Sequence, residues 1–169
     1  MDYAALAAGY GQAIPFNLHI GLRVEEIGPG FGRVVLPEGA STMNHVQSQH
    51  AGALFTAGEA ASGAAFISAF AERMGDITPL AEQAEIAYRK IARGDITATG
   101  TFTDDTDALF AELDREGRVR FPIAVELRDN GHEVLVLEQQ ADIVDRRRAI
   151  EGIEWRACDA CEFRSLEAA

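Results

Sequence analysis

Apolar residues recur along this chain with different periods, and each period predicts an element. Met1–Ala13 is rich in alanine and reads as a short helix. Pro15 favours an extended stretch after it. Ile20, Leu22 and Val24 alternate with Gly21, Arg23 and Glu25, which is the period of a strand. Gly28-Pro29-Gly30 is turn chemistry, and Phe31 to Leu36 returns as the partner strand, stopped by Pro37. Glu38 to Gln49 is polar and aperiodic, so a loop is expected there. From His50 or Ala51 to about Ala71 the pattern changes: alanine, glycine, serine and threonine dominate, and Glu59 is the single charge. Such a stretch predicts a long helix that is small or apolar all round, hence one buried on every side.

The second half is mostly strand. Leu80 to Tyr88 is a strand candidate with helix left open. Thr97, Thr99, Thr101 and Thr103 alternate with Ala98, Gly100 and Phe102, the signature of a half-buried strand. Asp104 to Gly117 predicts a helix, capped by Asp104 or Asp105, with Leu109, Phe110 and Leu113 as its apolar face and Gly117 as its stop. Val119, Phe121, Ile123, Val125 and Leu127 alternate with polar and small residues. Pro122 among them suggests an edge or a bulge. Asp129-Asn130-Gly131 is a hairpin signal, after which Val134 to about Val144 forms the last strand. Residues 146–169 show no pattern and read as a loose tail. There is no internal repeat and no second core. The expectation is one α+β domain over 1–169, with an N-terminal helix at 1–14 and a long central helix wrapped by a five- to six-stranded antiparallel sheet. One helix does not cover both faces of such a sheet, so a homodimer at least is expected.

Composition narrows the function. The chain has 169 residues, 47% of them apolar and 25% charged, and its net charge is -12 with a pI near 4.7. A surface so acidic argues against general binding to nucleic acid or anionic membrane, while leaving room for a local basic pocket. The long helix has the length of a membrane span, but a central carboxylate is costly in lipid and small side chains gain little there. Cys158 and Cys161 are too few for a disulfide scaffold. They form one CxxC without further ligands, whereas zinc takes about four, so no metal site is expected. Met1–Ala13 lacks a basic start and contains Asp2, which does not fit a signal peptide. A cytoplasmic protein is the simplest reading. No GxSxG, Walker or GxGxxG motif is present.

The remaining chemistry centres on Glu59. Asn44, His45, Gln47, Ser48, Gln49 and His50 precede the helix, whose first turn offers unpaired N–H groups and the positive dipole end. Such a terminus with a nearby amide and carboxylate can hold a carbonyl oxygen and activate a water, the minimum for acyl-transfer hydrolysis. The run Asn44-His45-Val46-Gln47-Ser48-Gln49-His50-Ala51-Gly52-Ala53-Leu54-Phe55-Thr56-Ala57-Gly58-Glu59 resembles the signature of hotdog-fold acyl-CoA thioesterases of the phenylacetic-acid-pathway type and their uncharacterised relatives. That signature is an Asn, six residues on a His followed by Gly-Gly, and an Asp or Glu nine residues after the His. Tyr88-Arg89-Lys90-Ile91-Ala92-Arg93-Gly94 resembles the family's tyrosine, basic residue and glycine before the next strand. The resemblance covers roughly Pro15 to Asp145. Ala51 replaces the first glycine, which narrows the approach to that backbone. Glu59 stands where many relatives have Asp, which moves the reacting oxygens by about one methylene.

The resemblance implies a hotdog fold and hydrolysis of an acyl-CoA thioester at a dimer interface, with no cofactor beyond the coenzyme A of the substrate. Glu59 would be general base or nucleophile. The N–H of Ala51, and of Gly52 beside it, would polarise the thioester oxygen. His50 would bind near that carbonyl, and Asn44 would position the water or the thioester from the other subunit. Arg89, Lys90 and Arg93 would meet the phosphates of coenzyme A. Each residue also has a plain structural reading: Glu59 as a satisfied buried carboxylate, His50 as a helix cap, Asn44 as a turn residue and the basic trio as a solvated strand end. His45 reads as a loop residue. Thr56 and Ser62, within a turn of Glu59, could bond it or simply pack. The run Arg146–Arg148 reads as a solvated face. Two other functions fit the same fold. One is an acyl-thioester dehydratase or hydratase: His45 precedes Glu59 by the spacing of the fatty-acid-synthesis dehydratases, without their Phe-Pro-Gly stretch. The other is a non-catalytic acyl-CoA binder, which the Ala51 substitution favours.

Overall fold

The computed structural model describes residues 1–145. Arg146–Arg148, Cys158 and Cys161 lie outside the described residues. Six strands form one antiparallel sheet: β1 (Arg23–Gly28), β2 (Phe31–Leu36), β3 (Ile77–Tyr88), β4 (Ile96–Thr101), β5 (Arg118–Asp129) and β6 (His132–Asp145), in the order β1-β2-β4-β5-β6-β3. The sheet curves around helix α3 (Ala51–Phe70), which a 3-10 turn, Ala71–Arg73, extends. Helices α1 (Tyr3–Ala13) and α2 (Pro15–His19) precede the sheet, and α4 (Thr106–Glu116) links β4 to β5. This is the expected hotdog arrangement.

Local chemistry accounts for most of the boundaries. Asp2 caps α1, its side chain accepting from the N–H of Ala5 at 3.0 Å. Asp105 caps α4, and Gly117 ends it in the left-handed region at φ 77. Asn130 and Gly131 turn β5 into β6 with φ of 43 and 83, the two positive angles of a type I′ hairpin.

Several expectations need correction. Pro15 does not begin an extended stretch: it sits at the first position of α2, where its missing N–H costs nothing. The alternation of Ile20 and Leu22 belongs to the turn after α2, with Leu22 donating to the Asn17 carbonyl at 2.9 Å. The strand starts only at Arg23. Pro122 lies in an interior strand, but pairing with β4 ends at Thr101–Ala124, so it falls where β5 has β6 alone as a ladder partner. Leu80 to Tyr88 is strand, starting at Ile77. Finally, α3 is not buried on every side. Gly52 and Glu59 are exposed and Phe55, Gly63 and Ile67 half-buried, an i, i+3/i+4 stripe that lies between α1 and the β3–β6 edge.

The core lies between α3 and the inner face of the sheet. Leu54, Ala57 and Ala61 pack on Val34, Leu36, Ile96, Val125, Leu127 and Leu137. Towards the helix C-terminus, Phe70 stacks on Phe121 with centroids 5.1 Å apart and meets Phe110 edge-on at 5.3 Å. In the middle the helix touches strand backbone. Gly32 of β2 and Gly100 of β4 are cross-strand partners. A Cβ on Gly32 would lie 2.7 Å from the Ala65 nitrogen, and one on Gly100 would lie 2.6 Å from the Ala61 carbonyl carbon. These obstacles are main chain and cannot rotate away. Gly100→Ala is therefore expected to destabilise the fold by about 3 kcal/mol through overpacking, read as a lower urea midpoint. A change under about 0.5 kcal/mol, the range of neutral surface substitutions, would show that the helix can lift off the sheet.

Candidate active site at Glu59 and the start of the central helix

The loop before α3 is organised by Asn44. Its Nδ2 donates to Ser48 Oγ at 2.9 Å and to the Gln49 carbonyl at 3.4 Å, while its Oδ1 accepts from the N–H groups of Val46 at 3.0 Å and Ser48 at 3.1 Å. Both ends of the amide are thus engaged within the loop. Within the chain, Asn44 organises this loop. Buried Gln49 ties the loop to its neighbours, donating from Nε2 to the carbonyls of Gly94 at 2.9 Å and Pro37 at 3.3 Å.

His50 caps α3. Its Nδ1 accepts from the Gly52 N–H at 3.0 Å. The acceptor role leaves the proton of the neutral ring on Nε2, an assignment inferred from this bond. The cap engages the Gly52 N–H. The Ala51 N–H has no acceptor among the described residues and is a free donor at the positive end of the helix. Tyr88, at the end of β3, donates its hydroxyl to the Ala51 carbonyl at 3.1 Å. Partial burial raises the Tyr88 phenol above its ordinary pKa.

Glu59 lies eight residues beyond Ala51, about 12 Å further along the axis. Among the described residues its carboxylate has no ion pair and no hydrogen bond. Thr56 and Ser62 do not reach it: Thr56 Oγ1 donates to the Gly52 carbonyl at 2.9 Å, and Ser62 Oγ contacts the Glu59 main-chain carbonyl at 2.8 Å. On one flank is Tyr10 of α1, whose hydroxyl donates to the Ala60 carbonyl at 3.2 Å. A Cβ on Gly63 would sit 3.1 Å from the Tyr10 Cζ and closer still to its hydroxyl, so the phenol rests where only glycine fits. Burial, and then the charge of Glu59, push the Tyr10 pKa well above the ordinary tyrosine range. On the other flank a cavity of about 190 Å³ opens between α3 and the β3–β6 edge, walled by Phe55, Glu59, Ala81, Ala84 and Gln139. Tyr10 and Gln139 were invisible as site residues in the sequence. The alternation along β6 puts Gln139 on the inward face, and that polar interruption among Leu135, Leu137, Ala141 and Ile143 is the one signal that was available.

The basic trio is exposed. Arg89 pairs with Glu133 at 3.1 Å, and Arg93 donates to the Gln47 carbonyl at 3.2 Å, which holds it against the loop before α3. Lys90 has no side-chain partner among the described residues. His45 is exposed in the loop. A larger concavity of about 560 Å³ lies on the outer face of the sheet, where Thr99, Thr101 and Glu126 point away from α3. It is separated from Glu59 by the sheet itself. The described residues hold no cluster of three or more His, Cys, Asp or Glu placed to bind a metal ion.

The fold and this site define a hotdog protein with an accessible carboxylate midway along its central helix. The chain belongs to the family described as "domain of unknown function (DUF4442)", whose model matches residues 3–144. No curated protein matches it significantly. Among solved structures it is similar to the Pseudomonas aeruginosa protein PA5026, of unknown function and named a probable thioesterase. The two share 27% identity and a TM-score of 0.73 over 84% of this chain and 95% of that one. It has the fold of the Escherichia coli PaaI protein from the phenylacetic acid degradation operon, at 18% identity and a TM-score of 0.64 over 82% and 91% of the two chains. It also shares that of the Staphylococcus aureus thioesterase SAV0944, at 16% identity and a TM-score of 0.63 over 78% and 99%.

The cap makes a prediction of its own. His50→Ala should lower stability by about 1 kcal/mol, and His50→Asn, which can also accept from the first turn, should recover most of that. Equal urea midpoints for wild type and His50→Ala would show that the cap contributes nothing.

Proposed function

We propose that the protein is an acyl-CoA thioesterase that works as a homodimer or a dimer of dimers and needs neither metal nor cofactor. Glu59 carries this reading. It is the single charge of a twenty-residue helix, stands on the exposed stripe of that helix, and has an open cavity beside it and no partner among the described residues. The relatives named as thioesterases support the same reading.

The roles follow from what each group can do. The Ala51 N–H, backed by the helix dipole, polarises the thioester oxygen. His50 offers Nε2–H beside it. Glu59 takes a proton from water as general base, or attacks the carbonyl as nucleophile. Carbon–sulfur cleavage then releases the acid and the thiol. Lys90 and Arg93, with Arg89 once freed from Glu133, meet the phosphates of coenzyme A.

One chain does not complete this site, because about 12 Å of helix separates its carboxylate from its own oxyanion donor. A second copy supplies the missing half. Strand β3 offers the place: among the described residues it is a twelve-residue sheet edge paired with β6 alone, with Leu80 and Tyr88 exposed, and an edge of that length is a template for pairing. Two copies joined there would set the α3 start of one near the Glu59 of the other.

Thiol release from short, medium and aromatic acyl-CoA esters tests the activity. Glu59→Ala should lower turnover on any accepted ester by about 10³-fold while the fold survives. Unchanged turnover would remove Glu59 from the chemistry. Hydration of an enoyl thioester without thiol release would replace the reading with a dehydratase, and saturable binding without hydrolysis would replace it with a binder. The shared site makes a separate prediction. Mixing inactive Glu59→Ala chains with chains inactivated at the helix start by Ala51→Pro should restore turnover, because one site of each mixed dimer is then intact. No recovery in mixed dimers would place both halves on one chain.

A further inference from the structure

Gln139 is the polar member of an otherwise apolar inward row on β6, only 8% exposed. Its Oε1 accepts from the hydroxyl of buried Ser62 at 2.7 Å. Ser62 has one proton and lies near two acceptors, Gln139 Oε1 and the Glu59 main-chain carbonyl. That carbonyl sits in mid-helix and already receives the N–H four residues on, so the serine proton is available to Gln139. The amide is thereby oriented with Nε2 turned from Ser62, and Gln139 lines the same cavity of about 190 Å³ as Glu59. No direct Gln139–Glu59 hydrogen bond is present. The two groups share a space with room for water between them.

We propose that Gln139, held by Ser62, orients the water that Glu59 activates, an inference that rests on the thioesterase reading. The Nε2–H donates to one lone pair of the water, Glu59 accepts one of its protons, and the second lone pair points at the thioester carbon. As the carbon–oxygen bond forms, the water proton passes to Glu59. As the carbon–sulfur bond breaks, Glu59 returns it to the departing thiolate, leaving the acid and the thiol. Ser62 is a positioning residue that acts through Gln139.

The test compares wild type, Gln139→Leu, Ser62→Ala and the double variant on the best ester of the panel, with folding followed by circular dichroism and melting. Gln139→Leu should lower kcat about ten- to thirtyfold, the effect of one well-placed hydrogen bond, with KM changed less than about twofold. Ser62→Ala, which keeps the cavity and loses only the clamp, should lower kcat less. The double variant should match Gln139→Leu alone, since Ser62 has nothing left to position. In a Glu59→Ala background, Gln139→Leu should leave the residual rate unchanged. Additive losses, or an unchanged kcat in folded Gln139→Leu, would overturn the inference while leaving the thioesterase reading in place. Should Gln139→Leu not fold, an unchanged kcat in Ser62→Ala overturns it in the same way. Absence of thiol release by wild type across the panel would overturn both.

Discussion

The contact on which this molecule depends is that of two strand backbones with one helix backbone. Gly32 and Gly100 face each other across β2 and β4, and together they seat Ala61, Ala64 and Ala65 against the sheet. Only the Ala64 methyl stands between the layers there. The alanines of α3 therefore follow from distance as well as from helix propensity, since larger residues would force the helix away from its seat. Gly58 continues the same close packing, with Leu137 Cδ1 3.1 Å from where its Cβ would be.

This seat fixes which face of α3 is left over. The residues opposite it, from Gly52 through Phe55 and Glu59 to Gly63 and Ile67, meet α1 on one side and the β3–β6 edge on the other. Glu59 needs no internal counter-ion because it stands on that remaining face. On the sheet, by contrast, the buried carboxylate of Asp142, 4% exposed, is paired with Arg118, which also approaches Glu82 at 3.8 Å. The contrast matters. A paired carboxylate is held in one geometry, whereas that of Glu59 has no partner among the described residues to hold it.

What the sequence disclosed was local. The start of α3 at His50–Ala51, the caps at Asp105 and Gly117, and the Asn130-Gly131 hairpin each arise from a few neighbouring residues whose chemistry admits one conformation. The order of helix and strands, and the motif from Asn44 to Glu59, were legible for the same reason. What stayed hidden was made by distant partners. Tyr10 reaches Gly63 across 53 positions and Ser62 reaches Gln139 across 77, and neither pair shares a pattern in the chain. The misjudged burial of Glu59 has a related cause. A helix without polar periodicity looks buried all round, yet here small residues on one side serve a close backbone contact, and small residues on the other leave a cleft. The motif likewise could not reveal that the Asn44 amide and the Gly52 N–H are engaged by their own loop and cap.

Charge sets a last constraint on the proposed substrate. A chain of net charge -12 repels a phosphate-rich ligand at long range, so attraction has to be local. In the proposed function Lys90 and Arg93, with Arg89 once it leaves Glu133, would provide it in one short segment. Tyr88 bonds that segment to the first carbonyl of α3, and Arg93 bonds it to the loop before the helix. The cationic side chains and the positive helix end are thus held beside each other, and their fields add within a Debye length of about 8 Å at physiological salt. Beyond that length the same salt screens the acidic remainder of the surface. Salt therefore acts on such a ligand in two opposed ways, weakening the local attraction while relieving the long-range repulsion. Steep loss of affinity with salt belongs to proteins that are basic throughout. For a basic patch on an acidic body the two terms offset, so a CoA ester bound here should show a shallow salt dependence.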